Sequence, residues 1–76
     1  MNDLEKWQFD IKTTMTIKGL SGKDVAQVIG VTAPAVTECI NKGAGSDRLK
    51  LAISKAVGVT TSWRSFEEYV GEIEEY

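Results

Sequence analysis

The sequence predicts an all-α fold: one small compact bundle of about five helices, over roughly residues 3–18, 22–29, 33–41, 47–57 and 65–75 of a single 1–76 domain. Three observations lead to the helices between residues 22 and 57. At 76 residues and 42% hydrophobic side chains, the chain can fill one core and no second. Oxygen-bearing caps stand before apolar stretches and glycines after them: Ser21 and Gly30, Thr32 and Gly43, Ser46 and Gly58. Leu49, Ala52, Ile53, Ala56 and Val57 then recur at i, i+3, i+4, i+7 and i+8, the period of one helical face.

The first element is ambiguous on pattern alone. Trp7, Phe9, Ile11, Thr13, Met15 and Ile17 alternate with polar residues, as in a strand. Leu4, Trp7, Ile11 and Met15 equally fit one helical face, and no turn signal interrupts the run before Gly19. The second element opens on Ser21 with Asp24 three residues on, a capping-box spacing, and Val25, Ala26, Val28 and Ile29 supply its inward positions. In the third, Thr32 caps, Ala33 and Pro34 fall in the first turn where a missing N–H costs nothing, and Val36, Cys39 and Ile40 face inward. The loop "NKGAGS" leads to Ser46-Asp47, a hydroxyl cap followed by an acid at the positive end of the dipole. The last segment, "SFEEYVGEIEEY", places Phe66, Tyr69, Val70, Ile73 and Tyr76 on one stripe and its glutamates on the other.

Composition excludes several functions. The longest apolar runs are three or four residues, far from the roughly 20 that cross a bilayer, and Met1 is followed by no charged-then-apolar leader. The expectation is a cytoplasmic protein without membrane contact. One cysteine forms no internal disulfide, and zero histidines remove the commonest metal ligand and general base. With no nucleophile–base pair, no ligand cluster and little room for a pocket, no enzymatic activity, cofactor, metal or small-molecule substrate is expected. The glycines of "NKGAGS" follow no strand and precede no Lys-Ser/Thr pair, so they are not a phosphate-binding loop. The net charge of −2 is unevenly placed: residues 1–64 carry nine bases against six acids, and residues 65–76 carry five glutamates alone. A mildly cationic body with an acidic end is compatible with DNA binding.

Ala26 four residues before Gly30, with Val36 and Ile40 after it, gives two short helices that meet closely at a turn. The small Ala26 lets them approach, Gly30 permits positive φ, and Val31, Val36 and Cys39 or Ile40 fill the wedge. Here "KGLSGKDVAQVIGVTAPAVTECINKG", Lys18 to Gly43, resembles the Cro and phage-repressor (XRE) type of helix-turn-helix regulators. Ser46 to Val57 sits where that family has its fourth helix, so the resemblance covers about 40 residues. It implies a lambda-repressor-like fold, and it decides the N-terminal segment in favour of helix.

The family's recognition helix offers base edges the side chains after its cap and those one turn on. Transferred here, these are Ala33, Pro34, Thr37 and Glu38, flanked by Thr32, Asn41 and Lys42. Relatives commonly carry Gln, Ser, Asn, Lys or Arg there, whereas none of the four central residues makes the bidentate pairs that read guanine or adenine. Ala33 can touch a thymine methyl, Thr37 can hydrogen-bond, and Glu38 can accept from cytosine, although its charge opposes a phosphate surface. Lys23, Lys42, Arg48 and Lys50 are expected to position phosphates with the amides at Thr32-Ala33, and four such contacts imply a salt slope of about −3.6. At that affinity, useful specificity needs a homodimer on two half-sites or a partner that supplies the missing contacts.

Plainer readings stand beside these. Cys39 falls on an inner helical face, as a small core residue does, and Trp7 and Trp63 suit a core or an interface better than stacking on single strands. The glutamate-rich end is a solvated face, a partner-binding helix or a shield for the basic surface. Two functions follow: a phage-type regulator of a lysis-lysogeny switch binding double-stranded operator DNA through helix 33–41, or an antirepressor (a modulator of repression) meeting a phage repressor through the same helix. In the second, Ala33, Pro34 and Thr37 form a flat patch and Glu38 meets the repressor's basic groove-binding side chains.

Overall fold

The computed structural model describes residues 2–63, which form four α-helices and no strand. They are α1 (Asp3–Lys18), α2 (Gly22–Ile29), α3 (Ala33–Lys42) and α4 (Asp47–Val57). The expected helix over 65–75 lies outside the described residues.

Each helix begins on a side-chain oxygen. Asn2 Oδ1 accepts from the Glu5 amide at 2.8 Å, a cap the sequence reading did not pick out. Ser21 and Asp24 close a reciprocal capping box: the Ser21 amide donates to Asp24 Oδ2 at 2.9 Å and the Asp24 amide to Ser21 Oγ at 3.1 Å. The Thr32 hydroxyl accepts from the Ala35 amide at 3.3 Å, and Ser46 Oγ from the Leu49 amide at 3.1 Å. α3 runs one residue past the expected end, to Lys42.

Burial explains why the N-terminal pattern resolves as helix. Trp7, Ile11 and Met15, four residues apart, are buried, whereas the alternating partners Phe9 and Ile17 are exposed. Alternation by two would have put all five on one side of a sheet; packing uses only the i, i+4 series.

α2 packs most extensively on α3, and Val25 and Ala26 make that contact possible by being almost fully buried. Two expectations fail here. Val28 is 74% exposed: at about 100° per residue it falls well outside the arc set by Val25, Ala26 and Ile29. Val31, expected to fill the wedge, is exposed as well; its contribution is its amide, which donates to the Ala26 carbonyl at 3.1 Å. The Gly30 amide donates to the same oxygen at 2.9 Å with Gly30 at φ 75°, a left-handed conformation that glycine adopts without strain.

The core brings Trp7 and Ile11 of α1 against Val36, Cys39 and Ile40 of α3 and Ile53 and Val57 of α4. Full burial of aliphatic side chains of this size stabilises by about 1.5–3 kcal/mol each. Trp7 has one polar atom to satisfy, and its indole Nε1 donates to Ser54 Oγ at 2.7 Å, which donates in turn to the Lys50 carbonyl at 2.9 Å. After α4 the chain turns back over α1. Lys18 Nζ donates to the Val57 carbonyl at 2.7 Å, the Thr61 hydroxyl donates to Asp10 Oδ2, and Trp63 Nε1 donates to Asp47 Oδ1 at 2.8 Å. Trp63 meets Trp7 edge to face, with centroids 5.6 Å apart and planes at 66°. Both tryptophans are therefore core residues, as is Cys39.

Candidate interaction surface on α3

α3 and its cap Thr32 present an inner and an outer face. Val36, Cys39 and Ile40 face the core. Thr32, Pro34, Thr37, Glu38, Asn41 and Lys42 are exposed, so six of the seven residues expected to contact DNA or a partner are presented to solvent. Ala33 is the exception: half-buried, it packs against the core and offers little surface. At 3.6 residues per turn the outer face has two edges. Thr37 and Asn41 lie along the edge that turns towards α1, and Glu38 and Lys42 along the other.

The surrounding cations are only partly where the phosphate reading needs them. Lys23, Lys42 and Arg48 are exposed. Lys50 is not: it is 5% exposed, and its Nζ donates to the Gly45 carbonyl at 2.8 Å. The physical reason is helical spacing, because residue 50 shares its face with Ile53, Ser54 and Val57 and extends its stem through the core to a backbone oxygen of the loop. Burial pushes the Cys39 thiol up from its ordinary pKa, with the charge of Lys50 opposing the shift.

The sequence reading missed what α1 adds. Between α1 and α3 lies an open cleft of about 250 Å³, rimmed by Lys12 and Thr16 of α1 and by Thr37 and Asn41 of α3. Its floor is apolar, built from the buried Met15 and Ile40. Gly22, at the start of α2, completes one wall; a Cβ there would stand 3.1 Å from Thr37 Oγ1. Gln8 Nε2 donates to the Ile40 carbonyl at 2.9 Å, tying the two helices together beside the cleft. No local pattern announces such a feature, since Lys12 and Asn41 become neighbours only through the packing of α1 on α3.

Among the described residues no cluster of His, Cys, Asp or Glu could hold a metal ion, and no helix is long and apolar enough to cross a membrane. Comparison with protein-family models, curated proteins and solved structures finds no match.

Proposed function

We propose that this chain is a small regulator of the Cro/phage-repressor kind, in which α2 and α3 act as a helix-turn-helix and α3 presents its outer face to operator DNA in the bacterial cytoplasm. The observation that carries the reading is the α2–α3 junction. Ala26 is buried between the helices, its carbonyl accepts both turn amides, and a capped α3 follows with Thr32, Pro34, Thr37, Glu38, Asn41 and Lys42 outward. Such a unit fits the width of a major groove, and the first amides of α3 suit a phosphate. With Lys50 turned inward, the exposed cations around the motif are Lys23, Lys42 and Arg48. Three contacts imply a salt slope of about −2.7, or roughly a 40-fold loss of affinity between 50 and 200 mM salt. The modest slope argues for action as a homodimer on two half-sites.

A second reading is favoured by Glu38, which stands exposed on this face where a phosphate surface would disfavour it. In this reading α3 meets the basic DNA-binding surface of a phage repressor and blocks or redirects it. Titration of the purified chain with DNA from its own promoter region, alone and with a phage repressor, separates the two. Salt-sensitive, sequence-dependent binding by the chain alone supports the regulator and rules out a pure antirepressor; no DNA binding at low salt with a tight repressor complex does the reverse. The sign at one residue decides independently: Glu38→Lys strengthens binding to DNA and weakens binding to a basic protein surface.

A further inference from the structure

The cleft between α1 and α3 is built differently from the rest of the candidate surface. Its floor is apolar, from Met15 and Ile40, while among the described residues its rim carries a single charge, Lys12, with the hydrogen-bonding side chains of Thr37 and Asn41 opposite. Its volume, about 250 Å³, falls below the ~300–1,000 Å³ typical of small-molecule sites but leaves room for one large side chain. DNA makes poor use of such a pit, because apart from its small thymine methyls it presents phosphates and flat base edges. A protein presents them routinely: interfaces are anchored by an aromatic or aliphatic side chain seated in a pocket whose polar rim keeps water out.

We infer that this cleft is an anchoring pocket for a protein partner, taking one aromatic or large aliphatic side chain with a neighbouring carboxylate that meets Lys12 Nζ. The inference rests on the second reading above, in which α3 contacts a protein, and it adds the chemistry that the partner must offer. Three features specify the occupant. The buried Met15 and Ile40 require an apolar group. The cation at the rim, Lys12, selects an acid beside it. Thr37 and Asn41 are left to hydrogen-bond the occupant's backbone, since both stand exposed on the α1 side of α3. The pocket thereby lies on the opposite edge of α3 from Glu38, so the two contacts can be tested apart.

The test is an amide chemical-shift titration of the full chain with the blocked dipeptides N-acetyl-Phe-Asp-amide and N-acetyl-Phe-Lys-amide. Expected are saturable shifts centred on Thr16, Gly22, Thr37 and Asn41, with the Asp dipeptide bound roughly two- to fivefold tighter, as an exposed ion pair allows. Lys12→Glu should reverse that preference, and Thr16→Trp, which fills the cleft from an exposed position, should abolish the shifts while the amide spectrum stays dispersed. An absence of saturable shifts, shifts centred elsewhere, or an unchanged response in Thr16→Trp would overturn the assignment. Failure here beside a Glu38-dependent repressor complex removes the pocket and leaves the second reading intact. Cleft binding without any repressor complex removes the second reading and leaves the pocket.

Discussion

Single residues hold much of this fold through buried polar atoms whose partners are far away in sequence or on the next turn. Trp7 is fully buried and its indole N–H has Ser54 Oγ as acceptor. Ser54→Ala leaves that donor buried without a partner, which costs about 1–3 kcal/mol. Urea unfolding should show a lower midpoint with an unchanged slope. Lys50 makes the complementary point about legibility. The sequence reading placed it among the phosphate contacts from its position just after the loop, yet its spacing of three, four and seven residues from Ile53, Ser54 and Val57 already put it on the inner face. What the spacing could not reveal is the Gly45 carbonyl that receives its ammonium, because that contact exists only once the loop has closed over α3 and α4.

At the scale of elements, the helix boundaries were legible because caps and stops are chemical and local. The facing of each helix was less so: Val28 and Val31 are apolar in sequence and exposed in the structure, Val28 because it lies off the arc of Val25, Ala26 and Ile29, and Val31 because it follows the Gly30 cap in the turn. The turn that joins α2 to α3 gives a graded prediction. At Gly30 a Cβ would meet nothing within 4 Å, so Gly30→Ala carries only the left-handed backbone penalty, about 1–2 kcal/mol. Gly43→Ala should cost more, because a Cβ there would also stand 2.8 Å from Leu4 Cδ2. Unfolding midpoints of the two variants, measured together, check the order. The start of α2 adds a pH dependence. The Ser21 amide, and then its hydroxyl, hold the Asp24 carboxylate below its ordinary pKa, with desolvation opposing and Lys23 assisting. A carboxylate lowered in the folded state stabilises above its unfolded pKa of 3.8, and that contribution is lost as pH falls through the folded value. Asp24→Asn should therefore lower the Tm at neutral pH and flatten its decline in acid.

For the whole molecule, the charge distribution matters more than its sum. Removing residues 65–76 takes away five glutamates and changes the formal charge from −2 to +3. If α3 contacts DNA, the shortened chain should bind more tightly at low salt, with the gain fading as ionic strength rises. Anisotropy titrations at 50 and 200 mM salt, with circular dichroism to verify folding, measure this. The half of the candidate surface that lies on α3 was readable from its cap and period, whereas the half on α1 was not, because Lys12 and Thr16 reach α3 only through tertiary packing. The Trp7–Trp63 contact has a practical consequence at the same scale. These are the chain's two tryptophans, locked edge to face where the segment after α4 crosses α1, 56 positions apart in sequence. Their emission is an intrinsic gauge of whether the two ends of the described fold are closed on each other. Loss of that contact changes the surroundings of both indoles at once, so their fluorescence follows the opening of the fold in the unfolding measurements above.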